Sequence, residues 1–154
     1  ASSSSLRAAS ACAPRPSCSR RRDMASVKEG DTRSLVLTED LTRTQIVQYA
    51  GASGDYNPLH TDDKFTKEIA GYPGVFAHGM LTMGMTGRVL TDWFGAEGLL
   101  SYGVRFVKQV FPGDALTATA TVTSVNDGVA ELSVETVNQA GEPVVTGTAK
   151  ARVE

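Results

Sequence analysis

The spacing of apolar positions divides the chain into a helical first half and a strand-rich second half. Ile46, Val47, Tyr49 and Ala50 recur at helical intervals. Thr42-Arg-Thr-Gln45 has the spacing of a capping box, so a helix is expected to open there and to end near Ser53, with residues 51–54 leading into a bend. Residues 34–37 read as a short strand before it. Asp62 and Asp63 suit the start of a second short helix, with Phe65 and Ile69 four apart and facing inward. Residues 78–94 carry the longest helical pattern. Its first half is apolar on nearly every side, which predicts that protein surrounds it. Gly79, Gly84 and Gly87 each weaken a helix by about 1 kcal/mol relative to alanine. Close packing against the helix backbone is therefore expected, and the methionines of this stretch read as core filling.

Beyond Gly95 the period changes to two. Residues 99–110, 115–126, 129–138 and 144–153 are expected strands, joined by turns at Pro112-Gly-Asp, Asn126-Asp-Gly and Ala140-Gly-Glu. Leu116, Ala118, Ala120 and Val122 alternate with Thr117, Thr119, Thr121 and Thr123, so one face is apolar. That face must be covered, and only the 78–94 helix is long enough to do it. The predicted fold class is α+β: an antiparallel β-sheet wrapped around one long central α-helix.

At 154 residues the chain has room for one domain with a real core. Charge is unevenly placed. Residues 1–23 hold five arginines against Asp23; setting them aside leaves ten basic and sixteen acidic residues, a net of −6 for residues 24–154. A body of that sign has no general attraction for nucleic acid or anionic lipid, and no apolar run is long enough to span a membrane. Cys12 and Cys18 both lie in the leading segment, so no disulfide framework holds the body together. Residues 1–23, rich in Ser, Ala, Arg and Pro, are expected to be a disordered leader or upstream segment ahead of a single domain over 24–154. Their composition also suits an organelle transit peptide; without one, the expected location is the cytoplasm. No phosphate-loop or dinucleotide glycine pattern is present, which argues against phosphoryl transfer and nicotinamide chemistry.

Candidate chemistry is concentrated in Tyr49-Ala-Gly-Ala-Ser-Gly-Asp-Tyr-Asn-Pro-Leu-His60. Asp55 and His60 stand five positions apart across a bend fixed by Gly54 and Asn57-Pro58. A carboxylate and an imidazole can manage both protons of an addition or elimination of water. The same residues also suit a capping carboxylate and a gap-filling ring. His78, the other histidine, begins the long helix, as a second base or as a hydrogen-bonded helix-start residue. A metal site from His60, His78, Asp55 and Asp62 matches no known ligand spacing, so no metal is expected.

Residues 49–62 followed by Ala77-His-Gly-Met-Leu81 resemble the signature of the MaoC-like (R)-specific hydratase and dehydratase family, which has the hot-dog fold. Leu41-Thr-Arg-Thr-Gln, Ala77-His-Gly-Met-Leu-Thr-Met-Gly and Val104-Arg-Phe are particularly similar to B-type catalytic subunits of (3R)-hydroxyacyl-ACP dehydratases. The resemblance covers residues 24–153. It implies that Asp55 and His60 are the catalytic pair and that the Gly79 amide holds the thioester oxygen, with Asn57 and His78 as further substrate-site candidates. It implies an acyl-CoA or acyl-ACP substrate, no cofactor, and a homodimer or a heterodimer with another hot-dog subunit. Relatives often carry a hydroxyl side chain two turns into the central helix, where this chain offers Thr82, Thr86 and Gly87. Rival readings on the same fold are a thioesterase and a non-catalytic acyl-binding subunit.

Overall fold

The computed structural model describes residues 25–154, so the expectations for residues 1–23, with Cys12 and Cys18, lie outside the described residues. The chain runs through strand β1 (Thr32–Thr38), helix α1 (Arg43–Ser53), a short helix α2 (Pro58–Thr61), a π-helical turn (Phe65–Ile69) and helix α3 (Gly79–Phe94). Strands β2 (Leu99–Phe106), β3 (Leu116–Asn126), β4 (Val129–Asn138) and β5 (Pro143–Arg152) follow. All strand pairs are antiparallel, in the order β1-β3-β4-β5-β2. Asp127 and Gly128 both take positive φ (49° and 74°), which the tight β3–β4 hairpin requires and few residues other than Asp, Asn and Gly adopt.

The apolar face expected on β3 is the one that is buried. Leu116, Ala118, Ala120 and Val122 meet Leu132 and Val134 of β4 and Val89, Leu90 and Phe94 of α3 in one core cluster. Alanines at the sheet centre leave room for the helix to lie close against it. Two of the three helix glycines face close neighbours: a Cβ on Gly79 would stand 3.1 Å from the Phe106 ring, and one on Gly87 3.3 Å from the Tyr102 ring. Gly84 faces open space. Tyr102 half-buries its ring there and donates its hydroxyl to the Met83 carbonyl at 3.1 Å; burial pushes its pKa up to about 12.

Three expectations are corrected. The first half of α3 is not enclosed by its own chain: Met80 is 58% exposed, so it is not core filling. The sheet covers one stripe of the helix, and in its first two turns that stripe carries Thr82 and Thr86. Their burial is offset by hydrogen bonds, Thr86 Oγ1 lying 2.8 Å from the Thr82 carbonyl and 2.7 Å from Thr136 Oγ1. Ile69 is 73% exposed rather than inward. The Ala70 N–H reaches back five residues to Phe65 O, and that wider turn rotates position 69 off the face that Phe65 and the buried Thr66 use. Strand β2 stops at Phe106, four residues early, because the Val107 and Lys108 amides both turn to the Val144 carbonyl.

Candidate active site

Helix α1 begins as the sequence predicts, with Thr42 and Gln45 exchanging capping-box hydrogen bonds. It ends at Gly54, whose φ of 76° turns the chain and whose N–H closes on the Ala50 carbonyl at 3.0 Å. Asp55 follows on the exposed side of the turn, where its carboxylate accepts the Asn57 N–H at 3.2 Å. Asn57 in turn accepts the Leu59 N–H at 3.0 Å and caps α2, with Pro58 at the first helical position. Asn57 thus acts as the turn residue that starts the helix carrying His60. That helix begins two residues before His60, which lies in its single turn.

His60 is buried, and its ring orientation is fixed by the main chain. Nδ1 lies 2.7 Å from the Phe76 carbonyl. A carbonyl only accepts, so the proton is on Nδ1 and the neutral ring keeps its lone pair on Nε2. Phe76 is itself held between α2 and the loop after β2: its N–H donates to Leu59 O, and the next amide, Ala77, donates to Val110 O at 2.7 Å. Sequence reasoning missed Phe76, since a main-chain acceptor leaves no mark in residue identity.

The His78 ring stacks on His60, with centroids 3.8 Å apart and planes inclined by 28°. Asp55, His60 and His78 each bring a donor atom within 4.8 Å of the other two. The structure therefore brings together the predicted pair and the second histidine. Asp62 is not part of this group; its Oδ1 accepts the Lys64 and Phe65 amides at the head of the π-helical turn. The trio has the residue types of a metal site. Stacked rings, however, carry their in-plane lone pairs side by side rather than toward one point, a poor fit to a shared ion.

Gly79 is the first residue of α3, so its N–H lies outside the helical ladder at the positive end of the helix. It also forms part of the wall of a cavity of about 250 Å³, lined among others by Phe76, Thr82, Phe106, Lys108 and Val145. At this cavity Lys108 pairs with Glu142 at 2.7 Å, and that contact holds the Glu142 carboxyl below its ordinary pKa. Of the hydroxyl candidates, Thr86 is committed to Thr136, while Thr82 lines the cavity and makes only a 3.5 Å contact to the His78 carbonyl. None of them supports Asp55.

A sheet wrapped on one helix, with Asp55, His60 and His78 gathered beside the head of that helix, defines a hot-dog domain. Residues 25–143 match the MaoC like domain family, and the chain belongs to it. It is similar to the (R)-specific enoyl-CoA hydratase of Rhodospirillum rubrum, 31% identical over 82% of this chain and 88% of that one. It is also 44% identical over 42% of its length to the 3-hydroxyacyl-thioester dehydratase Y of Mycobacterium tuberculosis, of which it spans 23%. Among solved structures, the ChsH1–ChsH2 complex of Mycobacterium tuberculosis superposes with a TM-score of 0.71 and 28% identity, over 84% of this chain and 99% of that one. No helix among the described residues is long and apolar enough to cross a membrane.

Proposed function

We propose that the protein interconverts (3R)-hydroxyacyl thioesters and trans-2-enoyl thioesters by loss or addition of water. The observation that carries this is the lone pair on His60 Nε2, left free by the Phe76 contact, in a ring that shares one small cluster with the Asp55 carboxylate. In the dehydrating direction His60 takes the proton from C2. The electron pair moves toward the thioester carbonyl, whose oxygen gains charge against the Gly79 N–H. Asp55 relays the proton, directly or through a water, to the 3-hydroxyl, which departs as water while the C2–C3 double bond forms. Hydration is the reverse. The thioester itself acidifies C2, so the scheme calls on no metal or organic cofactor.

The substrate is a phosphopantetheine-linked thioester, as CoA or acyl carrier protein. A second hot-dog subunit completes the assembly, either another copy or a related chain. Strand β2 ends the sheet with one edge unpaired and carries the exposed Leu100 and Phe106, and Met80 is exposed on α3.

Turnover of crotonyl-CoA by the purified chain, alone and mixed with candidate partner subunits, tests the reading. Asp55→Ala and His60→Gln should each lower the rate by about a hundredfold or more with the fold intact. Full activity in both variants would remove the mechanism. Release of free CoA thiol in place of hydration would make the protein a thioesterase. Tight acyl-thioester binding without turnover would make it an acyl-binding subunit.

A further inference from the structure

His78 touches all three parts of the proposed machinery and belongs to none of them. It sits at the N-cap position of α3 without capping the helix through its side chain. Its ring stacks on His60, the Tyr49 ring lies 5.0 Å away at 60°, and the residue is 2% exposed. Its Nε2 lies 3.0 Å from the main-chain carbonyl of Asp55. That carbonyl only accepts, so Nε2 carries the proton, and Nδ1 of the neutral ring is a bare lone pair. Nδ1 is buried and has no hydrogen-bond partner.

A position that needed only volume would be better filled by an apolar ring, since burying an unpaired nitrogen is unfavourable. What an apolar ring lacks is the N–H aimed at Asp55. We infer that His78 is a positioning residue for the reaction proposed above. Its Nε2–H holds the Asp55 backbone, its ring face holds the His60 imidazole, and its main chain leads directly into the Gly79 amide. The acid, the base and the oxyanion donor come from the turn after α1, from α2 and from α3. His78 joins all three, two through its ring and the third through its main chain, and it acts through them without touching substrate. The inference rests on the hydratase reading for its kinetic consequence and on geometry alone for its tautomer.

Two variants separate its contacts. His78→Gln keeps an N–H donor for Asp55 and loses the stacked ring; His78→Phe keeps the ring and loses the donor. Both should lower kcat by about ten- to a hundredfold, the scale of a small misplacement of reacting groups, with KM unchanged. Long-range ¹H–¹⁵N spectra of the unsubstituted protein should show His78 protonated on Nε2 and His60 on Nδ1. Both variants should leave the His60 proton on Nδ1, where the Phe76 carbonyl holds it, while the glutamine variant alone should broaden the His60 ring signals as the imidazole loses its stacked neighbour. Full kcat in both variants overturns the inference, as does a rise in KM alone, which would make His78 a substrate contact. A wild-type spectrum with the His78 proton on Nδ1 overturns it whether or not the variants fold. A wild-type chain that hydrates no thioester would sink the hydratase reading, while the tautomer spectrum still decides whether His78 makes the link.

Discussion

The Nδ1–H of His60 donates to the main-chain carbonyl of Phe76 at 2.7 Å across sixteen residues of sequence. This contact gives an imidazole at a helix end one tautomer and one direction. Phe76 is tied to Leu59 on one side, and the next residue to Val110 on the other. The orientation of His60 therefore depends on the loop after β2 as much as on its own helix.

Gly79 can be stripped of its N–H with little harm to the helix. It occupies the first helical position, where proline is tolerated, and His78 at φ −59° and ψ 135° already has the conformation that precedes proline. The Phe106 ring would crowd a proline, so Phe106→Ala is the proper background. Relative to that background, Gly79→Pro should lower kcat by about a hundred- to a thousandfold with helix content unchanged by circular dichroism.

Asn57→Ala removes the side-chain cap on α2 and should cost about 1 kcal/mol in chemical denaturation. The same change frees the Asp55–His60 segment, so kcat should fall as well. Asn57→Asp, which keeps the acceptor, should recover most of the stability.

Thr86 and Thr136 form a buried hydroxyl pair at 2.7 Å between α3 and β4. Thr86→Val leaves the Thr136 hydroxyl without this partner and should destabilise by about 1–3 kcal/mol. The double change to valine at both positions should destabilise less than the sum of the single changes, which a double-mutant cycle in urea would measure.

Arg43 pairs with Asp63, linking α1 to the segment that follows α2. The hydrogen bond from Arg43 holds the Asp63 pKa below its ordinary value of 3.8, helped by the Val75 amide. A carboxyl lowered in the folded state contributes stability that is present above its unfolded pKa. That contribution is lost as pH falls through the folded value. The Tm difference between the protein and its Asp63→Asn variant should therefore be present at pH 7 and shrink progressively below about pH 4. Both groups are well exposed, so the difference will be small and will diminish with salt.

Much of this protein is written locally in its sequence. The Thr42–Gln45 capping box, the Gly54 bend, the Asn126-Asp-Gly turn and the alternation of Leu116, Ala118, Ala120 and Val122 all rest on interactions within a few residues or on one face of one element. That Asp55 and His60 come close in space was legible for the same reason, since a glycine and an Asn-Pro step leave the chain between them few paths. Three things were decided only by the tertiary structure. Met80 faces outward because the sheet covers one stripe of α3, and an apolar sequence does not say which stripe. Ile69 is exposed because the π-helical turn over Phe65–Ile69 changed the period on which its inward placement depended. The direction of His60 and the stacking of His78 on it were set by carbonyls and rings that reach the site from distant segments, and main-chain acceptors carry no signature in residue identity.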